Sequence, residues 1–363
     1  MISGCKSSCC VTPPLHKREN YGALDGLRAY AMMGIVMMHV LSNIAVKPSG
    51  NVLTERVIPW FTDFTLLFMM VSAFSMCCGY YERIKKGTIT PAAFYSKRYK
   101  RVWPFFAIMV CLATVMDPSV KSLCHAYADL TLCFGLVPDP GKIEIIGVGW
   151  FLGTIFVFYM LFPFYVFLLD NRKRGWMVLM LSIVLCVVTI KTLNGDDGMF
   201  RRQNIINSAP FFIAGGMVYL YRGWLKRTVE RWRCVVAVAC LALTGALFWV
   251  PGIYSHLLMM LIVFAAWLVY ALGSGDVILN NRMAKYLSGI SMEVYLCHMM
   301  AFRVMEKMHL ENHIHQNDVL YILTLIGTIA GAIAFSHVVK YFVIPKMENG
   351  INLLSLQRLS KSK

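Results

Sequence analysis

The chain has 363 residues, 58% hydrophobic and 15% charged, with a mean hydropathy of +0.60. Soluble domains sit near 45–50% apolar and about 25% charged, so a purely soluble globule is excluded. The net charge of +16 could suit nucleic acid, but the lysines and arginines sit in short loops between apolar runs, as in a polytopic membrane protein.

The first twenty residues have no apolar core, so no cleavable signal peptide is expected. Residues 1–20 are expected to form a disordered, reduced cytoplasmic tail. Its cysteines, Cys5, Cys9 and Cys10, lack paired CxxC spacing and a histidine companion, which argues against a metal site. Most other cysteines lie inside apolar segments, where they act as small hydrophobes.

Ten apolar runs near the roughly 20 residues a bilayer requires follow in order. They cover 24–46, 57–81, 102–118, 150–170, 176–192, 208–222, 233–250, 256–273, 286–308 and 319–345. An eleventh patch, 123–137, is short and carries His125 and Asp129. If it does not cross, the basic loops around Arg83–Arg101, Arg172–Arg174, Arg222–Arg233 and Arg282–Lys285 all face the cytoplasm with both termini. Asp196, Asp197 and the stretch HLENHIHQND then lie outside. The expectation is an all-α polytopic transmembrane protein of about ten spans with both termini cytoplasmic. Residues 21–346 form the membrane domain and 347–363 a basic tail. The 123–137 patch becomes a re-entrant or interfacial helix held by surrounding protein.

The first span opens with LDGLRAYAMMGIVMMH, Leu24 to His39. Asp25 at its start suits an N-cap. Arg28 and His39 are eleven residues apart, three turns plus about 20°, so they share one face about 16 Å apart. A cation and an imidazole on one membrane stripe usually face a polar cavity or a partner. The other reading is an arginine snorkelling to lipid phosphate and a satisfied interior histidine.

Before the third span, FYSKRYKRVWPFF carries Lys97, Arg98, Lys100 and Arg101. Arg98 and Arg101 share a helix face, and two arginines so placed can grip a polyphosphate. A stop signal touching lipid headgroups would use the same residues. In the fourth span, Trp150 is expected at the outer interface and Tyr159 about halfway through, as aromatic belts explain. The ninth span contains Glu293, His298 and Arg303, which argues for a polar interior. Glu293 and His298 diverge by about 140° on a straight helix and cannot face one small site. A packed, hydrogen-bonded His298 is the simpler alternative. The outer-loop histidines His309, His313 and His315 lack ligand spacing and are read as solvated, so no metal is expected.

Together these stretches resemble acyltransferase family 3, the ten-span membrane O-acyltransferases that modify cell-surface glycans and lipids. The likeness runs in order through Asp25-Gly26-Leu27-Arg28 with His39, then Ser72 and Phe74, then Arg98 and Arg101 before Trp103-Pro104. It continues through Trp150-Phe151-Leu152, Phe158-Tyr159 and Pro163, the stretch 209–221, and Ile290-Ser291 with Tyr295-Leu296 and His298. It covers roughly 20–345. One departure is the glutamate many members carry shortly after the fourth-span tryptophan; here Gly153-Thr154-Ile155-Phe156 stands there.

The resemblance implies a multi-pass protein of the cell membrane, with no bound cofactor. It implies acyl-CoA, commonly acetyl-CoA, as co-substrate from the cytoplasm. The acceptor is a hydroxyl of a carbohydrate or glycolipid. His39 would be the general base, Arg28 would share its catalytic face, and Arg98, Arg101 and Lys97 would hold the donor phosphates. Trp150, Tyr159, Tyr295, His298 and Glu293 would be substrate-contacting or structural. No serine or cysteine nucleophile with an adjacent base is evident, which favours direct transfer over an acyl-enzyme. The competing class is a carrier or flippase using Arg28, His39, Glu293, His298 and Arg303 as a substrate or proton path. A carrier built from repeats should show matched broken halves, and no internal repeat stands out.

Overall fold

The computed structural model describes residues 21–48, 50–137, 140–193, 202–275 and 277–347. The expected tail 1–20 with Cys5, Cys9 and Cys10, the acidic pair Asp196 and Asp197, and all but the first residue of the tail 347–363 lie outside the described residues. Among the described residues every regular element is helical and there is no strand.

Each of the ten expected spans falls on helix. In chain order the helices are α1 (Ala23–Asn43), α2 (Leu53–Lys85), α3 (Pro91–Met116) and a short α4 (Val120–Thr131). Then come α5 (Trp150–Leu169), α6 (Arg172–Leu193), α7 (Ile205–Arg231), α8 (Arg233–Leu247) and α9 (Ile253–Gly273). The last three are α10 (Arg282–Gly289), α11 (Ser291–Glu306) and α12 (Asn317–Met347). Seven of these, α1, α2, α3, α5, α6, α9 and α12, are long and apolar enough to cross a membrane. α8 has 15 residues and α11 has 16, short of the usual ~20. α7 has 27, but its second half is strongly basic.

Three boundaries differ from the sequence reading, each for a local reason. α3 begins at Pro91, eleven residues before the expected span. The Thr90 hydroxyl accepts the Ala93 amide there, and proline suits the first helical turn. Arg98 and Arg101 therefore lie inside a helix, not in a loop before one. The ninth span is broken, because α10 ends at Gly289 and α11 starts at Ser291, with Ile290 at φ −112° and ψ 10° between them. Asp25 is not the N-cap of α1: Gly22 holds that position, and Asp25 accepts the Ser288 hydroxyl at 2.7 Å. It ties α1 to α10.

α4 is 12 residues long, about 18 Å, and too short to cross a ~30 Å core. It packs against α3. The Trp103 indole of α3 donates to the Leu130 carbonyl at 3.1 Å. The Ile145 amide donates to Asp129 at 3.1 Å. Phe106 stacks on Phe134 at 6.3 Å.

α1 is the central helix, packed against α2, α9, α10, α11 and α12. Its close approach depends on Gly26, where a Cβ would collide with the Leu279 backbone carbonyl. α7 presses equally close to α2 at Gly215, against the Met70 carbonyl. α5 and α7 are joined by Phe158 stacked on Phe212 at 4.5 Å, a pair worth about 0.5–1.5 kcal/mol beyond its buried area. These contacts bring α1, α2, α3, α5 and α11 around one cavity.

Candidate active site

A cavity of about 250 Å³ opens among those five helices, lined by Arg28, Ser72, Arg98, Arg101, Tyr159 and Tyr295, with Phe151 beside Tyr295. α1 supplies Arg28, whose guanidinium donates to the Ser75 hydroxyl of α2 at 2.6 Å. The arginine therefore turns inward and does not snorkel to lipid. α3 supplies Arg98 and Arg101 from successive turns, as their spacing requires. Arg98 donates to the Tyr80 hydroxyl at 2.7 Å and lies over the Tyr80 and Tyr159 rings at 4.7 and 5.8 Å. Its Nε is buried without a hydrogen-bond partner among the described residues. Arg101 reaches the Gly289 carbonyl at 3.5 Å, and Glu293 lies 4.0 Å away. Three guanidiniums thus converge, held mainly by hydroxyls, rings and a carbonyl. Such partners fix a cation without cancelling its charge, so the cavity suits a polyanion. Lys97 sits on the exposed side of α3 and does not line the cavity.

The cavity ends at Tyr295 and Phe151, whose rings meet edge to face at 5.3 Å. Behind Tyr295 lies His298, with ring centres 5.9 Å apart, and then His39, 5.1 Å from His298. His298 is fully buried. Its Nδ1 lies 2.6 Å from the Tyr295 carbonyl. A carbonyl only accepts, so Nδ1 carries the hydrogen and Nε2 is left as an acceptor. Nε2 has no hydrogen-bond partner among the described residues. His39 is half-buried on the same stripe as Arg28, as its spacing predicts.

A second set of charges borders the histidines. Arg202, on the segment before α7, pairs with Asp63 of α2 at 2.7 Å. Arg202 acts electrostatically on both His39 and Tyr295, and Glu144 acts on Tyr295. The Glu144 carboxylate also accepts the Trp150 amide at the start of α5. Trp150 itself is buried rather than exposed in a lipid-facing belt. The Thr154 hydroxyl donates toward the Trp150 carbonyl at 3.0 Å and that of Gln203 at 3.1 Å.

Glu293 and His298 face different places, as their angular separation requires. Glu293 is 3% exposed and pairs with Lys340 of α12 at 2.6 Å. Arg303, the third ionisable residue of that expected span, is exposed. Among the outer-loop histidines, His309 pairs with Glu311 at 3.1 Å.

The model of the acyltransferase domain of acyltransferase family 3 matches residues 21–337 of this chain. The chain belongs to acyltransferase family 3. Its helices, seven of them long and apolar enough to cross a membrane, agree with that membership. A curated relative, "Protein 2 in picA locus" from Rhizobium radiobacter, is 28% identical over 94 residues, 26% of this chain and 44% of that protein. The chain thus matches less than half the length of that relative. No solved structure matches it.

Several site residues escaped the sequence reading. Lys340 was the most legible of them, because a lysine inside an apolar last span is costly unless it meets a partner. Ser75 and Tyr80 of α2 carried no distinguishing signal, being ordinary polar residues on an apolar helix. Arg202 and Glu144 read as loop charges, and only the folded chain brings their fields to bear on Tyr295.

Proposed function

We propose that the protein is a membrane-bound O-acyltransferase that moves an acyl group, commonly acetyl, from acyl-CoA to a hydroxyl of a carbohydrate or glycolipid acceptor. The observation that carries this reading is the convergence of Arg28, Arg98 and Arg101 in one cavity whose far wall, Tyr295, backs onto His298 and His39. A CoA diphosphate is the polyanion such a cavity suits, and its pantetheine arm is long and narrow enough to extend toward Tyr295. The reading takes ten spans with both termini cytoplasmic, in the cell membrane, from the placement of the basic loops. The donor cavity then opens inward, and the histidines lie toward the outer side.

In this reading His39 takes the proton of the acceptor hydroxyl as its oxygen attacks the thioester carbonyl. The tetrahedral intermediate collapses, the C–S bond breaks, and CoA leaves as the thiolate, which takes up the proton that His39 accepted. His298 orients His39. Its Nε2 is a fixed acceptor, the two ring centres lie 5.1 Å apart, and in this reading an N–H of His39 donates to it. That bond holds the other His39 nitrogen as the base. Arg202 and Asp63 lie on the acceptor's side of the histidines. No nucleophilic side chain is needed, so transfer is direct.

The test is incubation of membranes containing the protein with acyl-labelled acetyl-CoA, followed by extraction of glycan and lipid. Covalent label that yields to mild base, as an ester does, supports the reading. Label that enters sealed vesicles and is recovered unattached would instead support a carrier.

A further inference from the structure

The reaction assigns no role to Lys340 or Glu293, yet they form the most deeply buried ion pair among the described residues. Glu293 is on the first turn of α11. Its Oε1 lies 2.6 Å from Lys340 and 4.0 Å from Arg101. Lys340 also donates to the Gly289 carbonyl, the same oxygen that Arg101 reaches at 3.5 Å. Two local distortions create this meeting point. The break between α10 and α11 leaves the Gly289 carbonyl free for side-chain donors. A π-helical turn at Val339–Val343 carries Lys340, and such turns within α-helices often occur at functional sites.

The charges decide what the pair does. A lone buried carboxylate 4 Å from Arg101 would draw that guanidinium out of the cavity and neutralise it. Lys340 sits closer to the carboxylate and satisfies it first. Arg101 is then steered by a shared carbonyl and a largely cancelled dipole, so its charge stays available to the cavity. Burying an ion pair adds little net stability, so stability alone is a weak reason for two charges here. In the family pattern matched above, only Ser291, Tyr295, Leu296 and His298 of this helix coincide; Glu293 lies between the matched positions.

We propose that Glu293 and Lys340 are positioning residues for Arg101, with Lys340 shielding Arg101 from Glu293 so that it can bind the donor's phosphates. This rests on the reading of the cavity as a CoA site. Three variants separate the charges: Lys340→Met, Glu293→Gln with Lys340→Met, and Lys340→Met in an Arg101→Ala background. Each is purified in detergent, checked for an unchanged elution profile and thermal midpoint, and titrated with coenzyme A. Lys340→Met is expected to weaken coenzyme A binding about tenfold, within the usual range for contacting charged residues. The double neutral variant is expected to recover most of that loss, because no carboxylate remains to capture Arg101. In the Arg101→Ala background, Lys340→Met is expected to add less than about twofold. A merely structural role would give the reverse order, with the double variant at least as weak as the single one. Unchanged affinity in a folded Lys340→Met protein, or a full tenfold loss without Arg101, overturns the proposal. If the wild-type protein binds no coenzyme A, the donor reading fails, and this proposal fails with it.

Discussion

The arginine cavity and the histidine cluster are built on opposite principles. In the cavity, Arg28, Arg98 and Arg101 are tied mainly by Ser75, Tyr80 and the Gly289 carbonyl, and the carboxylate within 4.0 Å of Arg101 is already engaged by Lys340. Positive charge is held in place and left uncancelled. In the cluster, the nearby cation Arg202 is matched by Asp63, and His298 is fully buried with one nitrogen committed to a backbone carbonyl. Charge there is balanced and acceptor atoms are left free. An uncancelled cationic pocket retains an anion; a balanced, dry site with a free nitrogen moves a proton. Tyr295, packed on Phe151, joins the two, lining the cavity and lying 5.9 Å from His298 by ring centres. The proposed reaction divides binding and proton transfer between the two ends of one helix, with Arg28 near the start of α1 and His39 near its finish.

The sharpest way to break this division is at His39. With His39→Ala, folded and inserted as the wild type, the transfer rate is expected to fall about 10²–10⁴-fold, the usual share of a positioned base. Coenzyme A affinity should change little, because His39 does not line the cavity. Steady-state kinetics with titrated donor would separate the two effects. A near wild-type rate would remove His39 from the chemistry, and a large loss of donor affinity would erase the boundary between the regions.

The complementary pattern is expected for Arg98→Ala with Arg101→Ala. The KM for donor should rise about 10–100-fold, each lost charge-assisted contact being worth up to a few kcal/mol. The rate at saturating donor should fall far less. His298→Ala is expected to cost about tenfold in rate at unchanged donor KM, since it orients the base and does not act as one. If His298→Ala matched His39→Ala in severity, the two imidazoles would share the proton work equally, and the cluster would be a true dyad.

Much of this organisation was readable from the chain, and the remainder was hidden for physical reasons. The helical ladder shows because a bilayer demands long apolar runs, and all ten runs fall on helix, the ninth across the break between α10 and α11. The pairing of Arg28 with His39, and of Arg98 with Arg101, follows from helix periodicity alone. Periodicity also separates Glu293 from His298. What spacing could not supply is which neighbour each polar residue meets. Asp25 reads as a cap from its place in the sequence, yet its partner is Ser288, 263 residues away. The fourth-span stretch Gly153-Thr154-Ile155-Phe156 offers His39 no acid, and the ring beside His39 is His298 from α11. Lys97 reads like its neighbours Arg98 and Arg101, but a single step of 100° around α3 turns it away from the cavity. The break at Gly289–Ile290 carries no proline, and its result, an exposed carbonyl shared by Lys340 and Arg101, depends on three separate helices.

The smallest expected effect on transfer comes from Asp129, on the short helix α4 that braces α3 and the start of α5. Asp129 is fully buried, and its Oδ1 has no hydrogen-bond partner among the described residues. Burial pushes its carboxyl up to about 7, against the opposing pull of the Ile145 amide. In the unfolded chain the same group ionises near pH 4. Between these values the folded protein holds a proton that the unfolded chain has released, so stability falls as pH rises through the window and levels off above about 7. The full effect is at most about 4 kcal/mol. Asp129→Asn removes the ionisation, so its thermal midpoint in detergent should be flatter from pH 5 to 8 and higher than wild type at pH 8. Transfer per folded molecule should stay near the wild-type rate. A matching loss of activity would mean that α4 belongs to the histidine cluster and does not merely brace the helices that hold it.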